Sequence, residues 1–595
     1  MRRVRLSALL AGLIAVLALV AAGCGGSNDE GSSSSGSKSG SAPAKGKQGG
    51  DLTFLAAADV DYLDPGQTYY TFGYQVLYST NRTLYAFAPG DTEQQPDLAD
   101  GDPQISEDKK EITVKIKPGI KYAPPVDREV TSKDIKYAFE RAFTSNVPSG
   151  YATSYFGDIK GAPDGPGKFK DIPGIKTPDD QTIVFELTKP TAVTVATALV
   201  MPITIPVPRE YAEKYDRKSP STYDQYTVFT GPYMVRNDSD GKVVGRDPGK
   251  LIEIVRNPNW DAKTDYKPAY LDEIRIEEGN DDLTVASRRT LQGDGLMCCD
   301  SGQPPIAILR RASVNNKDQL GRVGSGGTRW IALRTDKKPF DNLNVRKAVV
   351  AAFNRESLLK TRGGREVGPI AQGYIPPGVP GFDESGGEKG FADLDYMQHP
   401  AGDLELAKQY MLKAKDEGVP VDDQGRYTGS EKLAMIATNA DPGLQTATVA
   451  QGQLQSLGFK LTFRKVPQDT LYTRFCNVPA SGWDICPNVG WFRDFTDPQS
   501  LLEPTFKGAA IKPQGNVNYS MLDVPEIDDA MTKAATVPAG AERNKAWADI
   551  NKMVVEQVPG IPYSWDDSFQ LASKDVQGVM NGYTTTWDFA FSSVK

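Results

Sequence analysis

The segment Glu111-Ile-Thr-Val-Lys-Ile-Lys117 alternates polar and apolar residues, which is typical of a half-exposed β-strand. Pro118-Gly119 then turns the chain. The segment Thr131-Ser-Lys-Asp134 predicts a helix start, because its threonine can cap free amides and its aspartate favours the positive end of the helix dipole. The helix is predicted to continue to Phe143. Strand, turn and capped helix in one short stretch indicate an α/β fold.

The same mixture of strands and helices continues on both sides of this segment. Predicted strands are Asp51–Ala58, Gln181–Leu187, Leu251–Val255, Ile274–Ile276, Trp330–Leu333 and Lys460–Val466. Predicted helices are Asn344–Phe353, Ala447–Leu457 and Ala541–Gln557. Because strands and helices are interleaved throughout, the whole chain is predicted to be α/β.

Length and charge limit the possible functions. The 595 residues suffice for two or three domains with substantial cores. The formal net charge is −8, and no concentrated basic patch is visible, so we expect no nucleic-acid partner.

A single histidine, His399, also excludes several kinds of chemistry. A Ser-His-Asp or Cys-His system would have to use His399, and zinc sites usually recruit several imidazoles or thiolates. A histidine beside a proline in a polar stretch is typical of a surface. No nucleophile elbow, phosphate loop or metal-ligand spacing is present. The sequence therefore predicts no catalytic residue, no bound metal and no cofactor.

The first residues predict export. A basic start is followed by an apolar run of 17 residues from Leu6 to Ala22, which is short for a membrane-spanning helix and typical of a signal peptide over residues 1–23. Ala21-Ala-Gly-Cys24 resembles the lipobox of bacterial lipoproteins, with alanine in place of the usual leucine. That resemblance implies a lipid on Cys24.

Residues 24–50 are almost entirely small or polar, so they are predicted to form a flexible tether. Signal, lipid and tether together predict a protein anchored to the outer face of the cell membrane.

The remaining cysteines agree with export, since an even number in an exported chain indicates disulfides. Cys476 and Cys486 are ten residues apart and are plausible partners in a loop-closing bridge. Cys298 and Cys299 would then form a vicinal bond, or each would bridge to a more distant cysteine.

Several motifs occur together in an order that resembles extracellular solute-binding proteins of family 5, the oligopeptide, dipeptide and nickel binders of ABC importers. These motifs are Leu63-Asp-Pro65, Lys117-Pro-Gly-Ile-Lys-Tyr122, Val130-Thr-Ser-Lys-Asp-Ile135, Phe229-Thr-Gly-Pro-Tyr233, Arg256-Asn-Pro-Asn-Trp260, Pro339-Phe-Asp-Asn342 with Val345-Arg-Lys-Ala348 and Asn354-Arg355, and Gly490-Trp-Phe-Arg-Asp-Phe-Thr-Asp-Pro498.

The resemblance implies a periplasmic-binding-protein-like fold of type II, with two lobes, a hinge and an extra subdomain on the first lobe. Lobe 1 is expected over 51–328, with the subdomain at about 94–224. Lobe 2 is expected over 329–560, and the chain is expected to return to lobe 1 over 561–595.

The function implied is that of a substrate-binding lipoprotein of an ABC importer. It would capture a small solute between closing lobes and deliver it to a membrane permease and its ATPase. A peptide is the leading candidate; nickel complexes, sugars and other small molecules occur among relatives. The protein is expected to be a monomer.

The resemblance also implies ligand-binding residues. An aspartate that pairs with the α-ammonium of a peptide in relatives matches Asp494, which would otherwise be a solvated loop residue or an ion pair with Arg493. Trp491 and Phe495 are candidates for an apolar wall beside it, or for core positions.

Further candidates lie elsewhere in the sequence. Tyr69, Tyr70 and Thr71 fall where relatives offer a ligand loop, with packing on the lobe surface as the alternative. Trp330 lies at the expected crossover and is a candidate for lining the cleft. Arg329 is a candidate for neutralising a ligand carboxylate, or for a salt bridge.

Two other functions are compatible with an exported lipoprotein. One is a hydrolase that uses Asp494 and Asp497, although two carboxylates in one short loop do not readily flank a substrate. The other is a receptor lipoprotein that kept the binding fold without transport.

Overall fold

The structure is a computed structural model that describes residues 45–595 except 58, 91–93, 301–302, 325, 440 and 514. The predicted signal peptide, Cys24 and the tether up to residue 44 lie outside the described residues. Of the rest of the predicted tether, Gly49 donates a backbone hydrogen bond to the carbonyl of Tyr270 at 2.8 Å. No helix in the described part is both long and apolar enough to cross a bilayer.

The first sheet is mixed and joins distant parts of the chain. Its central strand, Asp51–Leu55, pairs in parallel with Glu273–Glu277 and Leu296–Cys298. Across the sheet the strands are Leu320–Gly324, Asp567–Ala572, Leu296–Cys298, Asp51–Leu55, Glu273–Glu277, Leu251–Arg256 and Tyr233–Val235, with the short Arg246–Asp247 beside Leu251–Arg256. The C-terminal strand Asp567–Ala572 therefore lies inside a sheet built mostly from the N-terminal half.

The second sheet is also mixed. Its strands in order are Lys460–Val466, Lys432–Thr438, Ile485–Phe492, Gly327–Leu333 and Gly560–Ser564. Lys432–Thr438 pairs in parallel with Lys460–Val466, and Gly327–Leu333 is antiparallel to both of its neighbours. The core on this sheet contains Trp330, Trp483 and Trp547, each at most 1% exposed.

A third, antiparallel sheet lies within the N-terminal half. Its strands in order are Gln104–Ile105, Glu111–Lys115, Thr182–Glu186 and Ile175–Asp179. The short pairs Tyr85–Ala86 with Gln95–Pro96, and Val576–Gln577 with Ser593–Val594, complete the strands of the described chain.

The chain passes twice between the first and second sheets. It leaves the first sheet at Gly324 and enters the second at Gly327, and it returns between Ser564 and Asp567. We call residues 45–324 and 567–595, which carry the first and third sheets, the first lobe. Residues 327–564, which carry the second sheet, are the second lobe.

Helices cover the sheets of both lobes. In the first lobe they are Thr71–Thr80, Ser132–Ala142, Ala152–Phe156, Ala192–Ala198, Arg209–Asp216, Leu283–Gln292 and Ile306–Asn315. In the second they are Leu343–Ala352, Arg355–Thr361, Leu404–Asp416, Gly443–Ser456, Gln468–Leu471, Gln499–Phe506, Pro525–Ala534 and Ala541–Gln557.

The helix predicted from Thr131 is confirmed and spans Ser132–Ala142. The Asp134 carboxylate accepts a hydrogen bond from the backbone N–H of Thr131 at 2.8 Å. This bond links the residue before the helix to its first turn and stabilises the helix start. Farther along, Arg141 donates to Asp64 at 2.6 Å and to Asp216 at 2.7 Å. Asp64, from the opening motif, is fully buried, so that motif anchors this helix to the start of the first lobe.

Candidate ligand-binding site

Asp494 lies two residues after the strand Ile485–Phe492 of the second lobe and is 8% exposed. Its carboxylate accepts a hydrogen bond from the hydroxyl of Tyr69 at 2.7 Å and a second from the hydroxyl of Tyr155. Both tyrosines belong to the first lobe. The hydroxyl of Tyr583, also from the first lobe, donates to the backbone carbonyl of Asp494. One second-lobe residue is therefore held by three first-lobe side chains.

Asp494 has no cationic partner among the residues that the structure describes. The neighbouring Arg493 instead donates to the backbone carbonyl of Gly582. The nearby Asp497, in contrast, is paired with Arg543, with nitrogen–oxygen distances of 2.6 and 3.0 Å. Asp497 therefore belongs to a buried ion pair, whereas the buried Asp494 carboxylate is stabilised only by hydroxyl groups.

Burial has a marked effect on this carboxyl. It raises the pKa of Asp494 to about 7, although the hydrogen bonds from Tyr155 and Tyr69 act in the opposite direction. A carboxylate that is costly to ionise alone becomes fully charged when a cation comes into contact with it. The site is therefore suited to a positively charged group.

Aromatic rings surround the carboxylate on both lobes. The ring centroids of Trp491 and Tyr69 are 6.1 Å apart with an interplanar angle of 72°, and the centroid of the Tyr151 ring lies 5.1 Å from that of Tyr69. Phe495 is fully buried and its ring is 5.0 Å from that of Tyr155. Phe495 therefore belongs to the core around the third sheet, although the second lobe carries it.

A small cavity of about 20 Å³ adjoins these rings, with room for about one water molecule. Tyr69, Tyr155, Gly150, Trp491 and Lys512 are among the residues that line it. Burial lowers the pKa of Lys512, and its ammonium group forms no ion pair in the described part of the chain. A larger ligand at this place requires the two lobes to separate.

Local contacts fix the position of Tyr69. Its backbone N–H donates to the carboxylate of Asp61 at 2.7 Å, and the hydroxyl of Thr68 donates to the same carboxylate at 2.5 Å. Gly150 lies directly against the ring, since a Cβ atom at this position would approach ring carbon Cδ1 of Tyr69 to 2.4 Å. Any larger residue at position 150 would displace the ring that contacts Asp494.

The other predicted ligand residues lie at varying distances from this group. Tyr70 is 41% exposed, and the exposed Thr71 begins the helix Thr71–Thr80. Trp330 is 1% exposed and packs against Tyr374, with a centroid distance of 5.6 Å, in the core of the second lobe. The structure brings Trp491, Phe495 and Tyr69 to Asp494 but does not bring Trp330 there.

Arg329 lies at the first passage between the lobes and forms an ion pair with Asp566 at the second passage. Asp566 also accepts from Arg362, at 2.9 Å from Nε. The two arginines hold the pKa of this buried carboxyl well below its usual range, against the effect of burial.

Sequence reasoning missed Tyr155, Tyr583 and Lys512. The two tyrosines lie far from Asp494 in the sequence, and no sequence motif contains both Asp494 and any of these three residues. Only the packing of the third sheet and of the C-terminal segment against the loop after Phe492 brings the two tyrosines there.

Both cysteine pairs form disulfides in the structure, Cys476 with Cys486 and Cys298 with Cys299. The first closes the loop that precedes the strand Ile485–Phe492 and so holds the start of the strand that leads to Asp494. The second lies at the end of a first-sheet strand.

No group of three or more histidine, cysteine, aspartate or glutamate side chains in the described residues is placed to hold a metal ion. His399 is exposed, as predicted, with its nearest acidic partner Asp403 at 3.8 Å. Asp497 is occupied by Arg543, so it does not form a catalytic pair with Asp494.

Two sheet-based lobes joined by two passages of the chain, with an additional antiparallel sheet on the first lobe, have the fold of type II periplasmic binding proteins. A family model for bacterial extracellular solute-binding proteins, family 5, matches residues 93–513. The chain belongs to this family, whose members are solute-binding proteins rather than enzymes.

Curated relatives are similar over most of their length. The oligopeptide-binding protein OppA of Bacillus subtilis is 25% identical over 500 residues, which cover 81% of this chain and 83% of the relative. The heme-binding protein A of Haemophilus influenzae is also 25% identical, over 83% of each chain. The names of these two relatives therefore refer to different ligands, oligopeptides and heme.

A solved structure described as clavulanic acid biosynthesis oligopeptide binding protein 2 has the same fold. Its TM-score is 0.75 at 24% identity, and the match covers 92% of this chain and 96% of the other.

Proposed function

We propose that this protein is the substrate-binding lipoprotein of an ABC importer and that it captures short peptides between its two lobes. The observation that carries the proposal is the buried Asp494 carboxylate, which has hydroxyl partners but no cation. A peptide supplies the missing cation as its α-ammonium group. Membership of the solute-binding family and the oligopeptide-binding relatives support the same ligand class.

Electrostatics favour this pairing. A buried charge that loses its partner costs about 3–5 kcal/mol, and a bound ammonium would remove that cost. The Trp491 ring packs against Tyr69, whose hydroxyl contacts the carboxylate, so closure around a ligand would keep water from this contact and strengthen it.

The same contacts link ligand capture to the movement of the lobes. We place the hinge at the two passages, residues 324–327 and 564–567. A ligand that bridges Asp494 and the first-lobe tyrosines binds the closed form better than the open form, so it shifts the population toward closure. The permease would then recognise the closed form.

Export and anchoring belong to the same proposal. A lipid on Cys24 would keep the lobes at the outer face of the membrane, next to the permease. We expect the wild type to incorporate labelled fatty acid and Cys24→Ser to incorporate none, which metabolic labelling with palmitate would measure. Equal labelling of the two proteins would contradict a lipid on Cys24.

The ligand class is tested by mass spectrometry of protein purified under native conditions, before and after denaturation. We expect a heterogeneous set of short peptides to be released. A single non-peptide mass, such as a porphyrin, would overturn the peptide assignment and the role of Asp494. If no ligand is released, calorimetric titration with a tripeptide library decides, and absence of binding would reject the proposal.

A further inference from the structure

The hydroxyl group of Thr194 joins the two lobes. Thr194 lies on the first-lobe helix Ala192–Ala198 and is 3% exposed. Its hydroxyl donates to the backbone carbonyl of Ala535 at 3.2 Å and accepts a hydrogen bond from Nη2 of Arg543, also at 3.2 Å. Both partners belong to the second lobe, so a single hydroxyl makes two hydrogen bonds from one lobe to the other.

The position of Thr194 in its helix leaves this hydroxyl free to face the second lobe. A threonine inside a helix commonly donates to the carbonyl four residues earlier. Thr197, one turn farther along, does so, with its hydroxyl 2.9 Å from the carbonyl oxygen of Val193. Thr194 lies in the first turn, so the residue four positions earlier precedes the helix. The two threonines of this helix therefore serve different contacts.

Arg543 also fixes the loop that carries Asp494. This arginine is 2% exposed, and its Nε and Nη2 atoms donate to the carboxylate of Asp497 at 2.6 and 3.0 Å. Nη2 donates as well to the side-chain oxygen of Gln499 at 3.0 Å. Because Asp497 and Gln499 closely follow Asp494 in the sequence, the guanidinium that meets the first lobe also holds the loop of the candidate ligand site.

Arg543 does not depend on the first lobe for its hydrogen bonds. Its remaining nitrogen, Nη1, donates to the backbone carbonyls of Ala534 and Val537 at 2.9 and 3.0 Å. Together with Asp497 and Gln499, these second-lobe acceptors satisfy all five N–H groups of a guanidinium. Separation of the lobes therefore leaves no N–H of this arginine unpaired, while the Thr194 hydroxyl exchanges its two hydrogen bonds for bonds to water. The contact can form on closure and break on opening.

We propose that Thr194 and Arg543 form a latch that stabilises the closed form of the protein without contacting the ligand. The inference rests on the proposed function, because closure is the step that captures the ligand. The hydroxyl donor of Thr194 and all N–H donors of Arg543 are used within the protein, and both residues are buried. Arg543 is thus a positioning residue, which acts on the ligand only through the loop of Asp494.

The latch has a different effect on affinity from that of Asp494. A contact that favours the closed form equally for all ligands changes the population that is competent to bind, and so it scales every affinity by the same factor. Asp494, in contrast, is proposed to distinguish ligands by their ammonium group. Loss of the latch should therefore weaken binding without changing selectivity.

The test compares Thr194→Val with the wild type by calorimetric titration of the full chain with Ala-Ala-Ala and with its N-acetylated form. Valine has the branched shape of threonine but no hydroxyl. Since two hydrogen bonds are lost, we expect Thr194→Val to bind both peptides about 3- to 10-fold more weakly, with the ratio of the two affinities unchanged. The dissociation rate of Ala-Ala-Ala, measured by stopped-flow tryptophan fluorescence, should rise with the loss of affinity.

Three further variants locate the effect. Thr194→Ser keeps the hydroxyl and should bind both peptides as the wild type does. Thr197→Val removes a hydroxyl from the same helix that does not face the second lobe, and it should also bind as the wild type does. In the Arg543→Lys background, the change Thr194→Val should cost less affinity than it does alone. If Arg543→Lys does not fold, the comparison of Thr194→Val with Thr194→Ser decides.

Several results would overturn the inference. Wild-type affinity in Thr194→Val would reject the latch while leaving peptide binding intact. Weaker binding of the free amine alone would show that Thr194 acts on the ammonium site rather than on closure. An equal loss in Thr194→Val and Thr197→Val would indicate a general weakening of the helix. Absence of binding of every peptide to the wild type would reject the proposed function, and the latch with it.

Discussion

At the scale of single residues, the chemistry of the cleft depends on which carboxylates have cations. Asp497 is paired with Arg543 and Asp566 with two arginines, whereas Asp494 is held only by tyrosine hydroxyls. A buried carboxylate in that state is poorly solvated and easily protonated, so it gains most from a cationic ligand.

The first prediction concerns pH. Burial raises the pKa of Asp494 to about 7, so its ionised fraction falls as the pH falls below that value. The affinity for a tripeptide should therefore decrease about 20- to 30-fold between pH 7.5 and pH 5.5, because only the ionised carboxyl pairs with the ammonium. Calorimetric titration across this range measures the effect.

Asp494→Asn should bind the peptide more weakly and show a flat profile over the same range. Asp393→Asn removes an exposed second-lobe partner of Lys552 and should keep the wild-type profile. A wild-type affinity independent of pH would show that ionised Asp494 does not contact the ligand.

The same shift has a consequence for folding. The folded state holds a proton on Asp494 at pH values between the usual range and about 7, where the unfolded chain has lost it. The contribution of this group to stability is therefore greatest at low pH and decreases as the pH rises toward 7.

Among the elements, the strand Ile485–Phe492 determines where the site lies. It ends two residues before Asp494, and the Cys476–Cys486 disulfide holds its start. Phe495, at the other end, is buried against Tyr155 of the first lobe. The loop that carries Asp494 is therefore fixed on one side by the second-lobe strand and on the other by the contact of Phe495 with the first lobe.

We predict that replacing both Cys476 and Cys486 by serine lowers the free energy of unfolding by about 2–3 kcal/mol, because the unfolded chain regains the freedom of an eleven-residue loop. Urea denaturation followed by tryptophan fluorescence measures this, with the single variant Ser481→Ala in the same loop as a control. An unchanged midpoint would show that the bridge does not constrain this loop.

Elements with local signals could be predicted from the sequence. Thr131 and Asp134 predicted the helix Ser132–Ala142, and the alternation after Glu111 predicted the strand that ends at Lys115. Trp491 and Phe495 belong to one motif but face different surroundings, and no local pattern separates them. That difference arises from contacts between segments several hundred residues apart, such as Tyr155 with Phe495.

The candidate site could be predicted only in part for the same reason. Asp494 and Tyr69 were identified through a family resemblance, and the structure brings them to 2.7 Å of each other. Trp330 was placed in the cleft because it lies near the crossover, yet side chains alternate along a strand and this one points into the core. The ion pairs of Arg329 and Arg362 with Asp566 could not be predicted, because only the return of the chain after Ser564 brings Asp566 to the two arginines.

At the scale of the whole molecule, the lobes are joined by polar contacts as well as by the two passages. Besides Tyr69 and Tyr155 on Asp494, the Arg543 side chain of the second lobe donates to Thr194 of the first at 3.2 Å. Such contacts are individually weak, so a ligand that adds one strong ion pair is sufficient to bias the equilibrium between open and closed forms.

We therefore predict that saturating tripeptide reduces the radius of gyration measured by small-angle X-ray scattering. Asp494→Asn at the same peptide concentration should keep the radius of the unliganded protein, while Asp393→Asn should behave like the wild type. A radius that does not change when calorimetry shows full occupancy would contradict closure by ligand binding.

The most direct test of the central claim is the affinity of the wild-type protein and of Asp494→Asn for Ala-Ala-Ala and for its N-acetylated form at pH 7.5. If Asp494 receives the α-ammonium group, the wild type will bind the free amine at least tenfold more tightly than the acetylated peptide, and the variant will bind both about equally. If the variant retains the full preference for the free amine, another group binds the ammonium and the account of this site is wrong.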